Sequence, residues 1–293
     1  MARKKTIGLV DVDGHNYPNL VLMKLSAWHK NKGDQVEFIN YFMKYDTVYK
    51  SKIFDFTKED GTIIYSNDIK EGGSGYNYTT KLWEEVEHVC PDYSLYNYSH
   101  ALGFLTRGCI RNCSFCIVPQ KEGALRSHAD IEEFLDGRKT AVLMDNNVLA
   151  SDWGLDQIKK IISMGIRVDF NQGLDAQIIA DNPSIAELLG RVRWLKPLRM
   201  ACDNLSQLDT IWKATKLLRK YGATRRRYFV YMLVTDIEDA HTRAIKLREM
   251  GLDPFAQPLI TNEIKPTKEQ KQFARWVNRK EIFRTVEYKN YCA

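Results

Sequence analysis

No stretch of the 293-residue chain reaches the roughly 18 consecutive apolar residues that a helix needs to cross a bilayer, so no membrane span is expected. A secretory leader is also not expected. Met1-Ala2-Arg3-Lys4-Lys5 runs into the apolar segment Thr6 to Val10, which is too short for a leader and ends at Asp11. The expected location is the cytoplasm. Proline is scarce, at 8 residues, and the 17 glycines follow no period, which excludes collagen-like and low-complexity chains. There is no internal repeat. Six cysteines are too few for a disulfide scaffold, and only Cys90, Cys202 and Cys292 are scattered. The other three, Cys109, Cys113 and Cys116, fall within eight residues. Such crowding in a reducing compartment points to metal binding.

What is present describes a globular α/β protein. Hydrophobic residues make up 44% and charged residues 27%, and the length suggests about two domains. The net charge of +6 hides an uneven distribution, because residues 190–293 hold 22 basic against 11 acidic side chains. A basic rear favours anionic partners, either an anionic small substrate or nucleic acid. Lys213, Lys216, Arg219 and Lys220 read equally well as the solvated face of one amphipathic helix. Arg225, Arg226 and Arg227 enter a strand and must point to both of its faces.

Periodicity divides the chain near Pro91 to Ser99, giving domains over 1–98 and 99–293. In the first, strands are expected at Thr6 to Val12, Gln35 to Asn40 and Ile53 to Phe56, with helices at Leu20 to Asn31 and Thr79 to Val89. Glycines 72, 73 and 75 mark a loop. In the second, strands at Ala101 to Leu105, Ala141 to Met144, Ile166 to Phe170, Leu198 to Cys202, Tyr228 to Val234 and Pro254 to Leu259 alternate with helices. Those helices are Asp130 to Leu135, Leu155 to Met164, Asp175 to Gly190, Ser206 to Tyr221, Glu238 to Met250 and Lys268 to Asn278. Six such units imply a parallel sheet curved into a partial (β/α)6 TIM-like barrel, with chemistry at the carboxyl ends of the strands.

The cysteines have the spacing C-x3-C-x2-C and follow the first of those strands. Three thiolates on one loop can hold three irons of a four-iron four-sulfur (4Fe-4S) cluster and leave the fourth iron open. A zinc site built with His128 or His100 is the alternative, and it belongs to a second reading of the whole chain. In that reading the protein is a non-catalytic, metal-stabilised nucleic-acid-binding protein.

The cysteine spacing, with the aromatic Phe115 immediately before the third cysteine, resembles the radical S-adenosylmethionine (SAM) superfamily over about residues 100–260. The resemblance implies that Cys109, Cys113 and Cys116 ligate the cluster and that SAM binds its open iron. It further implies reductive cleavage to a 5′-deoxyadenosyl radical that abstracts hydrogen from a substrate. A reductant such as flavodoxin or ferredoxin is the implied partner. Where the superfamily has a Gly-Gly-Glu-like segment, this chain has Met144-Asp145-Asn146-Asn147, whose carboxylate and amides suit the SAM ammonium. Asn171 and Gln172, and Asp203 with Asn204, fall where ribose or amino-acid contacts are implied. Arg126 and Arg199 are the implied carboxylate partners.

The leading domain resembles the Rossmann-like cobalamin-binding domain that precedes the radical SAM core in one subclass. Asp13-Gly14-His15-Asn16-Tyr17-Pro18 departs from a cobalt-ligating pattern at Pro18, so the expectation is a retained fold without cobalamin. With only Cys90 in the leading domain, a second cluster is not expected.

Overall fold

The computed structural model describes residues 3–14, 16–59, 61–223, 228–260 and 263–291. His15, Arg225 to Arg227 and Cys292 lie outside the described residues. The architecture is mixed α/β with parallel sheets.

The first part contains β1 (Thr6–Asp11), α1 (Leu20–Asn31), β2 (Gln35–Phe38), β3 (Thr47–Ser51), β4 (Ile69–Gly72) and α2 (Glu84–Glu87). Its four strands are all parallel, in the order β2-β1-β3-β4. Asn19 caps α1 by accepting from the Leu22 amide. The helix is apolar on two sides, and each side has its own partner. Leu22 and Leu25 pack with Ile7, Leu9, Tyr49 and Val86, whereas Leu20 and Met23 join the larger core of the second part.

Two expectations fail here. The strand sought at Ile53 to Phe56 is Thr47–Ser51 instead, where Val48 and Tyr49 are buried beside β1. The helix sought at Thr79 to Val89 shrinks to Glu84–Glu87, because the Asn77 side chain accepts from the Thr79 and Thr80 amides and builds a turn. The segment Pro91 to Ser99, at which the chain divides, is anchored to the second part. Tyr93 is buried, donates its hydroxyl to the Phe134 carbonyl at 2.5 Å and accepts from the Leu102 amide at 3.0 Å.

The second part begins with β5 (Ala101–Gly103), β6 (Thr106–Arg107), α3 (Val118–Lys121), β7 (Arg126–Ser127), α4 (Ile131–Leu135) and β8 (Thr140–Leu143). It continues through α5 (Asp152–Ser163), β9 (Arg167–Phe170), α6 (Ala176–Asp181), α7 (Pro183–Gly190), β10 (Arg193–Trp194) and β11 (Arg199–Ala201). The last elements are α8 (Leu208–Lys220), β12 (Phe229–Val234), α9 (Ile237–Glu249), β13 (Asp253–Pro258), α10 (Lys268–Asn278) and α11 (Lys280–Thr285). The helix expected from Asp175 to Gly190 is therefore two helices. Pro183 cannot continue α6 and instead starts α7.

One parallel sheet has the order β10-β9-β8-β5 and a second β11-β12-β13, while β6 and β7 form a short antiparallel pair. A single hydrophobic core runs under both parallel sheets. On β12, Val230, Met232 and Val234 are fully buried, and Phe229, Tyr231 and Leu233 point the other way and are only half-buried.

Candidate functional site

The cysteine loop leaves the carboxyl end of β5 and is tied shut at its base. Arg107 on β6 pairs with Arg126 on β7, so residues 108–125 form a loop between the two strands. Gly108 has φ +80°, and a Cβ there would lie 2.3 Å from the Ala124 carbonyl oxygen. Only glycine permits that approach. The Cys109 amide then donates to the Gly123 carbonyl at 3.4 Å.

Asp145, just past β8, holds this base from below. Its Oδ1 accepts from the Leu105 amide at 3.0 Å, the Thr106 amide at 2.6 Å and the Thr106 hydroxyl at 2.7 Å. Burial pushes the carboxyl up to about 6, although the bonds from Thr106 and Leu105 favour its ionised form. The residue expected to face a bound ammonium thus directs that oxygen to the protein's own backbone.

Cys109 and Cys116 are half-buried and Cys113 is exposed. The Cys116 amide donates to the Cys113 carbonyl at 3.0 Å, which tightens the turn between them. Burial and the neighbouring Cys116, Cys109 and Asp203 push the Cys113 thiol up. The three thiols therefore feel one another, and a bound cation would relieve that repulsion. Among the described residues no three His, Cys, Asp or Glu side chains converge on a single-ion position. Thiolates sharing one tetrahedral ion, with metal–sulfur bonds near 2.3 Å, must stand about 3.8 Å apart, whereas in a cluster each thiolate binds a different iron. Each histidine of the zinc alternative has one ring nitrogen engaged within the protein. His100 bonds to Thr140 at 2.7 Å, and His128 lies 3.3 Å from Glu87.

Asn147 is buried beside Cys109. Its Nδ2 donates to the Asp175 carboxylate at 3.0 Å and approaches Cys109 Sγ at 3.6 Å, while its Oδ1 is buried with no hydrogen-bond partner. A buried acceptor without a donor is costly unless something supplies one, and an ammonium would. The amide fits that role better than Asp145 does. Asp175 also takes both Nε and Nη2 of Arg111, at 2.9 and 3.1 Å. Burial alone would raise this carboxyl, but Arg111 and Asn147 hold it below the usual range. In the sequence Asp175 reads only as a helix start, and Arg111, although inside the cysteine motif, carries no signal of this pairing.

The other expected residues are unevenly placed. Phe115 is 43% exposed, Asn146 is half-buried and Gln172 is exposed. Asn171 offers its carbonyl to the Tyr231 hydroxyl at 3.4 Å. Asp203 accepts from the Leu233 amide at 2.9 Å, lies in electrostatic reach of Cys113, and is pushed up by burial. Arg126 and Arg199, expected to hold a carboxylate, are engaged within the protein. Arg126 donates to the Glu122 carbonyl at 2.6 Å, and Arg199 is ion-paired with buried Asp169.

A second group of charges touches the loop base from outside. Arg107 contacts Glu87 at 2.5 Å and Glu122 at 3.2 Å, and Glu87 also meets His128 and buried Lys24 at 3.3 and 3.9 Å. Burial of Glu87 works against its charge, but His128, Arg107 and Lys24 together bring its carboxyl down to about 2.

Part of the basic rear is engaged within the protein. Fully buried Arg243 donates to the Asp239 carboxylate and to the Cys202 and Leu233 carbonyls. Arg219 and Arg248 donate to the Met250 and Phe283 carbonyls, and Lys280 and Arg284 both contact Asp253. Lys213, Lys216 and Lys220 lie on the exposed face of α8, opposite its buried Ile211, Ala214 and Leu218. Compared with known protein families and with curated proteins, the chain matches none.

Proposed function

We propose that the chain is a radical SAM enzyme. In this reading its two parallel sheets together form a partial (β/α)6 barrel, preceded by a Rossmann-like domain. The observation that carries the proposal is a C-x3-C-x2-C loop at the carboxyl end of a parallel strand, with the unpartnered buried oxygen of Asn147 beside its first cysteine. When bound, the cluster and SAM supply reductive cleavage to methionine and a 5′-deoxyadenosyl radical for hydrogen abstraction.

The chain's own residues bind and orient. Cys109, Cys113 and Cys116 would hold three irons of the cluster. Asn147 Oδ1 would accept a hydrogen bond from the SAM ammonium, and Asp175 and Arg111 fix the amide that would present it. Asp145 and Gly108 set the loop at the strand end. Phe115, 43% exposed, immediately precedes the third cysteine. Electrons come from a small carrier such as flavodoxin or ferredoxin. Cobalamin is left out of the proposal. A Cβ on Gly73 would meet the Lys52 carbonyl oxygen at 2.3 Å, and one on Gly75 the Phe54 carbonyl oxygen at 2.8 Å, so those glycines serve close packing of their own loop.

Anaerobically reconstituted protein should bind about four irons per chain and, with dithionite and SAM, release 5′-deoxyadenosine. Iron binding that survives Cys113→Ala unchanged would overturn the reading.

A further inference from the structure

Part of the basic charge of the last third gathers around a cavity that the proposed chemistry does not use. The cavity, of about 150 Å³, opens at the amino end of β13, among the last turn of α9, the turn into β13 and the junction of α10 with α11. Its lining is apolar where buried Leu252 and Phe283 contribute, and charged at Arg248, Lys280, Arg284 and Asp253. Lys280 and Arg284, four residues apart on α11, share a face of that helix. Both reach Asp253, with Lys280 Nζ at 2.7 Å from one carboxylate oxygen and Arg284 Nη2 at 3.5 Å from the other. Arg248 comes from α9, donates Nη1 to the Phe283 carbonyl at 2.7 Å and stands 5.1 Å over the Phe283 ring.

Three cations from two helices are thus brought together on one carboxylate. Among the described residues lining the cavity the balance is three basic to one acidic, an excess of two positive charges. The neighbouring acids do not cancel it. Glu249 is paired with Lys246 at 3.1 Å, and Glu281 does not line the cavity. Arg225 to Arg227 lie outside the described residues, but they precede Phe229, the register partner of Asp253, and carry charge of the same sign. Holding like charges this close is unfavourable unless an anion offsets it.

Size and charge select the anion. At about 30 Å³ per water the cavity has room for about five waters, the scale of the five heavy atoms of a phosphate, and it is too small for a coenzyme. Hydrogenphosphate carries two negative charges, which match the excess, and its oxygens suit a guanidinium fork. It also keeps one P–OH, which can donate to the Asp253 carboxylate. Sulfate has no such proton at neutral pH, and the same carboxylate repels it.

We propose that this cavity is a binding site for inorganic phosphate in its hydrogenphosphate form. It lies away from the cysteine loop, because the loop leaves the carboxyl end of a strand and the cavity sits at the amino end of β13. The proposal does not depend on the radical SAM reading.

The test is a titration of the full chain with inorganic phosphate, followed by phosphorus-31 NMR, with sulfate and a single-stranded oligonucleotide as competitors. Phosphate should bind at millimolar concentration, and equal sulfate should displace little of it. Lys280→Gln and Arg284→Gln should each weaken binding about fivefold, as expected for half-exposed charges. Lys213→Gln, on the exposed face of α8 and outside the cavity, should leave it unchanged. Asp253→Asn should bring sulfate binding up to that of phosphate. Thermal melting confirms that the variants fold. The proposal is overturned if millimolar phosphate does not bind, if sulfate competes equally in the wild type, or if Lys213→Gln weakens binding as much as Arg284→Gln does. It is also overturned if the oligonucleotide displaces phosphate at a lower concentration of phosphate groups, since the cavity would then serve a nucleic-acid backbone.

Discussion

A carboxylate at the end of β8 carries much of the local order. Asp145 is 4% exposed and is held at about 6, against 3.8 for an ordinary aspartate, because burial disfavours its charge more than Thr106 and Leu105 favour it. The sign of the pH effect follows. With the folded value raised, the group's stabilising share is complete below about pH 4 and is lost as the pH rises through about 6. The difference is about 3 kcal/mol. Asp145→Asn should flatten the pH dependence of urea stability between pH 4 and 7 by about that amount. An unchanged profile would mean that Asp145 is not buried as described. The sequence placed this residue after the strand but not its partners, since its bonds run to a backbone 40 residues earlier.

At the scale of the element, the β6–β7 pair turns a cysteine-rich stretch into a closed loop. Two of its glycines have positive φ for different reasons. Gly123 has φ +75° with nothing near a prospective Cβ, whereas Gly108 is pressed against the Ala124 carbonyl. Gly108→Ala should therefore cost about 1–3 kcal/mol and open the loop base, so iron per chain falls after reconstitution. Gly123→Ala strains only the backbone and should retain more iron. Equal iron in both variants would show that the close approach at Gly108 does not matter. The cysteine spacing was legible because it lies in eight consecutive residues. The failed strand at Ile53 and the shortened helix before Pro91 were not. Asx turns and strand pairing decided those segments, and neither is written in a local apolar period.

Across the molecule, the first part reaches the cysteine loop through one charge. Glu87 on α2 touches Lys24 of α1, Arg107 of β6 and His128 past β7, and these bring its carboxyl from 4.5 to about 2 despite burial. Because the folded value is lowered, this contribution is present above about pH 4.5 and is lost as the pH falls toward 2. Glu87→Gln should destabilise the protein by about 3 kcal/mol at pH 7, measured by chemical denaturation, because Lys24 and Arg107 are left partly buried without their counter-charge. A loss under about 1 kcal/mol would mean that the cluster of charges is solvated and weak.

By itself the sequence determined the alternation of strands and helices in the second part and the three-thiol loop, along with the amphipathic face of α8. All are local, set by covalent spacing and by periods of 2 or 3.6 residues. Only the tertiary structure decided which acceptor is left unpartnered beside Cys109 and how Arg199 and Arg243 are engaged, and only it left one side of β12 uncovered. Those outcomes depend on strand order and register, which bring together residues as distant as Asn147 and Asp175. The alternation Phe-Val-Tyr-Met-Leu-Val announces two faces, but which of them the helices cover follows only from how the strand is connected and packed.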